Sequence, residues 1–489
     1  MRVRMAPSPT GPLHIGTART SLYNYLAARH AGGTYVLRIE DTDAARGTVD
    51  FERDIIDNLH WLGITWDEGP QVAGGEDVGP FAPYRQSGRM ELYEREASRL
   101  LEAGAAYRCW CTPEELAAVR KEQEARREPP RYNRRCLNLT DAERAAFEAE
   151  GRASVIRFKV EPEVIRFDDL VRGDVEFDNA LLGDFVIVRN DGVPLYHFVV
   201  VVDDEAMEIT HVIRGEDHLS NTPKHIALIR ALGYREPRFG HIPLILNPDR
   251  SKMSKRKSQT SITAYRQEGY LPEAFVNFLA FLGWSPGTEE EIFTLDELVK
   301  RFEIAKVHKG GAIFDIDRLD HLNGVYIRAM SDEQLALRLR EWVPPALADA
   351  DLLRLVPLIK ERLVKLGDVP ALIGFVWEPE EVVAGWYGPE TLSPKKGGPR
   401  EARLALEAAR ATLAEVDDAD FAADVLEQRC REAADAAGMK AGDFFSPIRV
   451  AVTGRTVSPP LFASLEILGR ERSLARIDAA LEKLAAVPA

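Results

Sequence analysis

Cysteine is scarce in this chain: four residues in 489. That rules out a disulfide framework as the source of stability and points to a reducing compartment. No run of 18 or more apolar residues occurs, so no helical membrane span is expected. The N-terminus, MRVRMAPSPTG, has neither an apolar signal core nor an amphipathic transit segment, and a cytoplasmic location is expected. An excess of positive charge is also missing. The 63 Lys and Arg against 78 Asp and Glu leave a net charge of −15, which argues against wholesale electrostatic binding to nucleic acid. A local basic face is compatible with that balance. No strict repeat is present. The chain is too long for one hydrophobic core, so two to four domains are expected.

The N-terminal region alternates strands and helices. Residues 2–6 read as a strand, and residues 17–31 as a helix with Leu22, Tyr25, Leu26 and Arg29 on one stripe, stopped by Gly32 and Gly33. TYVLRIED (34–41) reads as a second strand. DFERDIIDNLHWLG places Phe51, Ile55, Leu59 and Leu62 on one helical face. This βαβα order predicts a parallel sheet covered by helices. Residues 100–186 break the rhythm with a cysteine pair, a charged helix and short strands, and read as an insertion. The βα pattern resumes from about 187 to 246. LYHFVVVVDDEA and MEITHVIRG look like buried strands, TPKHIALIRALG like a helix, and GHIPLILN like another strand. From about 325 the pattern is helical to the end.

Two stretches carry chemistry. HIGT (14–17) follows the first strand and opens a helix, where backbone N–H groups and a histidine can hold phosphate oxygens. A tight turn with a surface histidine is the plainer reading of that tetrapeptide. SKMSKRKSQTS (251–261) follows a buried strand and crowds Lys252, Lys255, Arg256 and Lys257 around Ser254. A solvated charged loop is the usual explanation, yet ligands collect at strand C-termini in such folds. A cationic loop there can close over a triphosphate and neutralise a leaving pyrophosphate.

Taken together, HIGT and KMSKR (252–256) resemble the HIGH and KMSKS signatures of the class I aminoacyl-tRNA synthetases. With RIEDTD (38–43) and RGEDHLSNTP (214–223), the chain looks, along its whole length, like the bacterial glutamyl-tRNA synthetases. The resemblance implies a split Rossmann-like α/β catalytic domain (1–99 and 187–246) carrying an α+β insertion (100–186) that contacts the tRNA acceptor end. It further implies a signature-loop and stem-contact region (247–324), then an all-α anticodon-binding region (325–489). It implies ATP with Mg²⁺, L-glutamate and tRNA(Glu) as substrates, and a monomer. The reaction would proceed through glutamyl-adenylate to the terminal adenosine of the tRNA. His14 and Lys255 would stabilise charge at phosphorus. Gly16, Thr17, Lys252, Ser254 and Arg256 would complete the ATP site, and the backbone of Leu244 and Ile245 would read adenine.

For glutamate, the resemblance assigns the side-chain carboxylate to Arg4 and Arg214, the α-ammonium to Glu40, and polar contacts to Ser8 and Tyr196. Arginine forks suit carboxylates and keep their charge. The plainer alternatives are a surface charge at Arg4, an ion pair of Arg214 with Glu216 or Asp217, a turn carboxylate or metal ligand at Glu40, and a core tyrosine at Tyr196. The family often carries a polar residue four positions after that tyrosine; here it is Val200.

CWC (109–111) and YNRRC (132–136) bring Cys109, Cys111 and Cys136 close in sequence, enough for structural Zn²⁺ or for three reduced thiols in a small core. The family's last ligand position, two after the third cysteine, holds Asn138; Tyr132 is the substitute ligand that the resemblance offers. The basic run 120–135, the 255–257 cations and arginines of the helical region are the candidate RNA surface. Arg362 matches a family arginine associated with the last anticodon base, or is a plain surface arginine. Charging of tRNA(Gln) as well, an RNA-independent nucleotidyltransferase, a truncated relative that glutamylates a tRNA base, and a catalytically dead RNA-binding relative are the competing readings. The helical region argues against the truncated form.

Overall fold

The computed structural model describes residues 1–42, 48–253, 259–394 and 397–486. The chain divides into two compact units, one of residues 1–266 with 272–316, the other of residues 267–271 with 317–489.

The first unit is built on short parallel strands. β1 (Arg2–Met5) pairs in parallel with β2 (Thr34–Leu37), and between them runs α1 (Ile15–His30). α2 (Val49–Trp61) follows, capped by the Thr48 side chain, which accepts from the Phe51 N–H at 3.2 Å. It buries Ile55 and Leu59, as the spacing predicts. α1 differs from its predicted stripe. Nearly all of it is buried, including Arg19, Ser21, Tyr23 and Asn24, while Tyr25 and Arg29 are only partly covered. A helix wedged between sheet and neighbours on most sides has no single apolar face to show in sequence. Its turn into β2 is tight: a Cβ on Gly33 would lie 2.2 Å from the Met1 carbonyl oxygen.

The second half holds α3 (Tyr196–Ala206), β3 (His211–Gly215), α4 (Thr222–Leu232), β4 (Arg238–Ile242) and β5 (Ile245–Leu246). The predicted strand LYHFVVVVDDEA is therefore a helix. Four consecutive valines favour a strand locally, but here they are buried within a core that includes Phe198 and Met207, and tertiary packing overrides propensity. The predicted strand GHIPLILN is broken in two at Pro243, whose missing N–H cannot continue a ladder. β3 pairs in parallel with β4. Just before β3, the Thr210 N–H donates to the Arg2 carbonyl at 3.0 Å and the Arg2 N–H donates to the Thr210 hydroxyl at 2.8 Å. β1 and β3 therefore lie side by side, with their carboxyl ends at Arg4–Met5 and Arg214–Gly215. The β1–β2 and β3–β4 pairs are separate two-stranded parallel sheets that meet here, and ligands in parallel α/β folds bind in crevices outside the carboxyl ends of strands.

The segment between the halves forms an antiparallel sheet from 106–109, 155–158 and 185–188 and a hairpin from 164–169 and 173–178. The hairpin docks on β4, where the Leu170 N–H donates to the Phe239 carbonyl at 2.8 Å. Among the described residues, the second unit contains only helices and turns. Its core joins the helices Pro399–Ala414, Ala441–Thr453 and Arg470–Ala485 through residues such as Leu406, Ile448 and Ile477. Cys430 is buried there, and burial pushes its thiol up to about 12. Among the described residues, no helix is long and apolar enough to cross a membrane.

Asp203 of α3 is fully buried and accepts from Arg89 Nε at 2.7 Å and Gln86 Nε2 at 2.8 Å, with the Tyr93 hydroxyl at 2.9 Å. Replacing it by alanine strands a buried guanidinium. Asp203→Ala is expected to lower the unfolding free energy by about 3–5 kcal/mol in urea titrations; a loss below about 1 kcal/mol would show that these groups are not coupled to the fold.

Candidate functional site

A cavity of about 260 Å³ opens at the carboxyl ends of β1 and β3. Ten of the residues singled out in the sequence line it: Arg4, His14, Gly16, Thr17, Glu40, Tyr196, Arg214, Leu244, Ile245 and Lys252. Ser8 instead lines an adjoining hollow of about 660 Å³, which shares His14, Thr17, Glu40 and Tyr196 with the first. Val200 is buried in the core. Ser254, Lys255 and Arg256 lie outside the described residues.

The turn before α1 is less bare than its sequence suggests. The Ile15 N–H donates to the Thr260 carbonyl at 2.9 Å, and the Gly16 N–H donates to His14 Nδ1 at 3.0 Å. Those two orphan donors of the helix start are thus already satisfied. The second bond also fixes a tautomer. With Nδ1 accepting, the neutral imidazole of His14 carries its hydrogen on Nε2.

Arg4 and Arg214 differ in their electrical surroundings. Arg4 is buried, not a surface charge, and forms a forked pair with Asp204 of α3 (Nε to Oδ1 3.1 Å, Nη2 to Oδ2 3.3 Å). Arg38 Nη1 also donates to Asp204, at 2.8 Å. Arg214 pairs with neither Glu216 nor Asp217. Glu216 takes up Arg172 and the Leu244 N–H, and Asp217 faces Lys252 Nζ at 3.3 Å. Arg214 donates to His241 Nε2 and His225 Nδ1, both at 3.1 Å, and to the Thr222 hydroxyl at 2.8 Å. All are uncharged acceptors. Burial pulls Arg214 down to about 10, so it still carries its charge at neutral pH.

Glu40 lines the same cavity, 3.4 Å from Arg38 Nη2. Burial raises its carboxyl to about 6, against the pull of Arg38 and Arg4. The Tyr196 hydroxyl meets His218 Nδ1 at 3.0 Å, and burial pushes the phenol up to about 12. His218 is held down to about 4, first by burial and then by Arg214, so it is neutral. Leu244 cannot offer its N–H to a ligand, because Glu216 Oε1 accepts it at 2.7 Å. Its carbonyl accepts from Ala312, and that of Ile245 from Met253. Each of these oxygens keeps a second lone pair.

Sequence reasoning missed Arg38, Asp204, His218, His225 and His241. Arg38 and His218 stood within the quoted motifs RIEDTD and RGEDHLSNTP, whose other residues took the roles. Asp204 was hidden by reading α3 as a strand.

In the insertion, the sulfur atoms of Cys109, Cys111 and Cys136 lie within 4.8 Å of one another. The Tyr132 hydroxyl sits 3.3 Å from Cys109 Sγ and 3.4 Å from Cys111 Sγ. Asn138 turns away and donates to the Arg134 carbonyl. Much of the basic run nearby is spent internally: Arg134 on Asp184, Arg135 on Glu115, Arg126 on Glu128. Arg120, Lys121 and Arg127 are exposed. In the helical unit Arg362 is exposed, and its charge presses down on the half-buried guanidinium of Arg449 after burial has already lowered it.

The Glu40 carboxyl is expected to titrate with a midpoint near pH 6 by ¹³C NMR. The wall is then anionic above that pH and loses its charge as the pH falls through it. Arg4→Met should move the midpoint up, because one cation that favours the carboxylate is gone. A wild-type midpoint at the ordinary carboxylate value would contradict this burial.

The sequence matches the family model for class I tRNA synthetases (E and Q), catalytic domain, over residues 1–321, and that for an anticodon binding domain over residues 334–481. It is 44% identical to a glutamate–tRNA ligase of Moorella thermoacetica, covering 98% of each chain. It is 45% identical to that of Acidothermus cellulolyticus, over 98% of this chain and 94% of the relative. Among solved structures, a glutamate tRNA ligase from Elizabethkingia meningosepticum in complex with its amino acid superposes with a TM-score of 0.82, at 35% identity over 99% of each chain.

Proposed function

Because this chain belongs to the class I aminoacyl-tRNA synthetases, among the glutamate–tRNA ligases, we propose that the cavity at the ends of β1 and β3 is where its glutamate is activated. The overall reaction is ATP-dependent charging of tRNA with glutamate. The α-carboxylate of glutamate attacks the α-phosphorus of ATP, and the bond to pyrophosphate breaks. A hydroxyl of the terminal adenosine of the tRNA then attacks the carbonyl carbon, and AMP leaves with the bonding electrons. Neither step needs a protein nucleophile; positioning and charge stabilisation suffice. Magnesium accompanies ATP and offsets phosphate charge.

The observation that carries the site assignment is the pairing of a buried cation without an acid partner, Arg214, with a buried carboxylate, Glu40, in one small cavity. Glutamate offers the complement: a side-chain carboxylate for Arg214 and an ammonium for Glu40. Arg4, already paired with Asp204, contributes its remaining guanidinium edge. Tyr196 and Ser8 add polar contacts. Glutamine would leave Arg214 buried and uncompensated, a loss of about 3 kcal/mol or more in a dry pocket. His14 Nε2–H, Thr17, the close approach allowed by Gly16, and Lys252 serve the phosphates. Ser254, Lys255 and Arg256 join them on the strength of the KMSKR sequence. The carbonyls of Leu244 and Ile245 receive the adenine amino group.

The helical unit reads the anticodon, with Arg362 beside Arg449 as a cationic contact for a splayed base. We place this work in the cytoplasm, by a monomer, with tRNA(Glu) as the acceptor. Charging of separate tRNA(Glu) and tRNA(Gln) transcripts with labelled glutamate tests this reading. The wild type should charge tRNA(Glu) alone. Arg362→Ala should narrow the preference at least about tenfold with no change in the KM for glutamate. Equal charging of both transcripts by the wild type would remove the role of Arg362. Charging of neither would remove the acceptor assignment.

We further propose that Cys109, Cys111, Cys136 and Tyr132 hold a structural zinc ion. Zinc–sulfur bonds of about 2.3 Å place tetrahedral ligands roughly 3.8 Å apart, compatible with the spacing of this cluster. The ion would tie the 106–109 strand to the 132–136 turn, and none of its ligands lines the cavity. Protein purified without chelators should contain about one equivalent of zinc, and Cys111→Ser should lose it and melt at lower temperature. Less than about half an equivalent in the wild type would contradict the assignment.

A further inference from the structure

Arg214 is held by a chain of groups that reaches into the insertion. Its Nε–H donates to His241 Nε2 at 3.1 Å. His241, fully buried on β4, faces Asp169 with its other nitrogen: Nδ1 and Oδ2 are 2.5 Å apart. Asp169 ends the 164–169 strand of the docked hairpin and is itself buried. Its second oxygen, Oδ1, accepts three backbone N–H groups, from Val171 at 3.0 Å, Arg172 at 2.9 Å and His241 at 3.1 Å.

These bonds leave one consistent assignment of hydrogens. Three N–H donors fix Oδ1 as an acceptor and aim Oδ2 at His241. Nδ1 must then carry the imidazole hydrogen, because a bare Nδ1 would face the Asp169 carboxylate lone pair to lone pair. Nε2 must present its lone pair, which the Arg214 Nε–H and the Thr222 hydroxyl, at 3.0 Å, both meet. On the other side, His225 Nδ1 accepts from Arg214 Nη1, so its hydrogen lies on Nε2, toward His197 Nδ1 at 3.1 Å. Thr222 and the His218 carbonyl accept from Nη2, at 2.8 and 3.4 Å. The guanidinium is thus oriented from three sides by groups that accept four hydrogen bonds from its five N–H donors without cancelling its charge. A carboxylate in the place of His241 would hold it as firmly and neutralise it.

We propose that Asp169 and His241 are positioning residues for substrate selection: Asp169 locks the His241 tautomer, and His241 holds Arg214 oriented and unneutralised for the side-chain carboxylate of the incoming amino acid. This rests on the reading of Arg214 as the partner of that carboxylate. It also gives the insertion a part in choosing the amino acid.

Asp169→Asn is the sharpest test. The three backbone donors hold the amide oxygen in the Oδ1 place, so the NH₂ group faces His241 Nδ1. The imidazole hydrogen is forced onto Nε2, against Arg214. Steady-state charging should show the KM for glutamate raised about 10–100-fold, with kcat at saturating glutamate and the KM for ATP within about threefold of wild type. His241→Leu should behave alike. His241→Gln, which returns an acceptor oxygen near the Nε2 position, should recover most of the loss. ¹⁵N NMR of the wild type should report His241 with its hydrogen on Nδ1, a reading that needs no variant to fold. An Nε2–H tautomer there, equal losses in His241→Gln and His241→Leu, or an unchanged KM in Asp169→Asn would overturn the proposal. Arg214→Ala separates the two levels. If it leaves the KM for glutamate unchanged, the pocket reading fails; if it raises that KM while Asp169→Asn and His241→Leu do not, only the positioning role fails.

Discussion

Asp203 and Asp204 sit side by side near the end of α3, and between them they engage Arg4, Arg38 and Arg89. Buried charges in a low-dielectric interior must be matched or neutralised, so this pair decides where unmatched charge can remain. Arg4, Arg38 and Arg89 each have a carboxylate partner in this pair, whereas Arg214 stands among acceptors that carry no charge. The rest of the site follows from that inequality. One wall holds a cation awaiting an anion; the other holds Glu40, a carboxyl raised to about 6 by burial yet ionised at neutral pH because Arg38 and Arg4 stand near. A substrate with a carboxylate at one end and an ammonium at the other completes both.

The placing of the two strand pairs explains how such a site can be assembled from remote parts of the chain. Arg4 and Arg214 are 210 positions apart, yet the Thr210–Arg2 bonds set β1 beside β3 and bring both strand ends to one crevice. α1 starts at that same edge, so His14 and Thr17 share the crevice with the arginines. The insertion adds Asp169 from behind. In the proposed site, specificity and phosphate chemistry therefore rest on one set of strand ends.

Much of this was legible in sequence, for definable reasons. The βα order, the helix start at HIGT and the strand-end arginines each carry a local signal, and ten of the fourteen residues assigned to the substrate and ATP sites line the cavity, Ser254, Lys255 and Arg256 lying outside the described residues. What sequence hid was partnership. Nothing near Arg4 announces Asp204, and nothing near Arg214 announces His241 or Asp169, because these pairs form across the fold. α3 hid for a different reason: four valines in a row look the same whether a strand or a fully buried helix contains them. The stripe on α1 failed because a helix covered on most sides has no apolar face to display. The donors of the helix start looked open for phosphate, but Thr260 and the His14 side chain already accept from two of them.

In the proposed site Arg214, not Arg4, supplies the unmatched charge that selects the amino acid. The crystal structure of this chain with glutamate bound tests it directly. The side-chain carboxylate is expected within about 3 Å of the Arg214 guanidinium, with the ammonium at Glu40 and the Arg4–Asp204 pair intact. A side-chain carboxylate seated on Arg4 alone, with Asp204 displaced and Arg214 uninvolved, would contradict it.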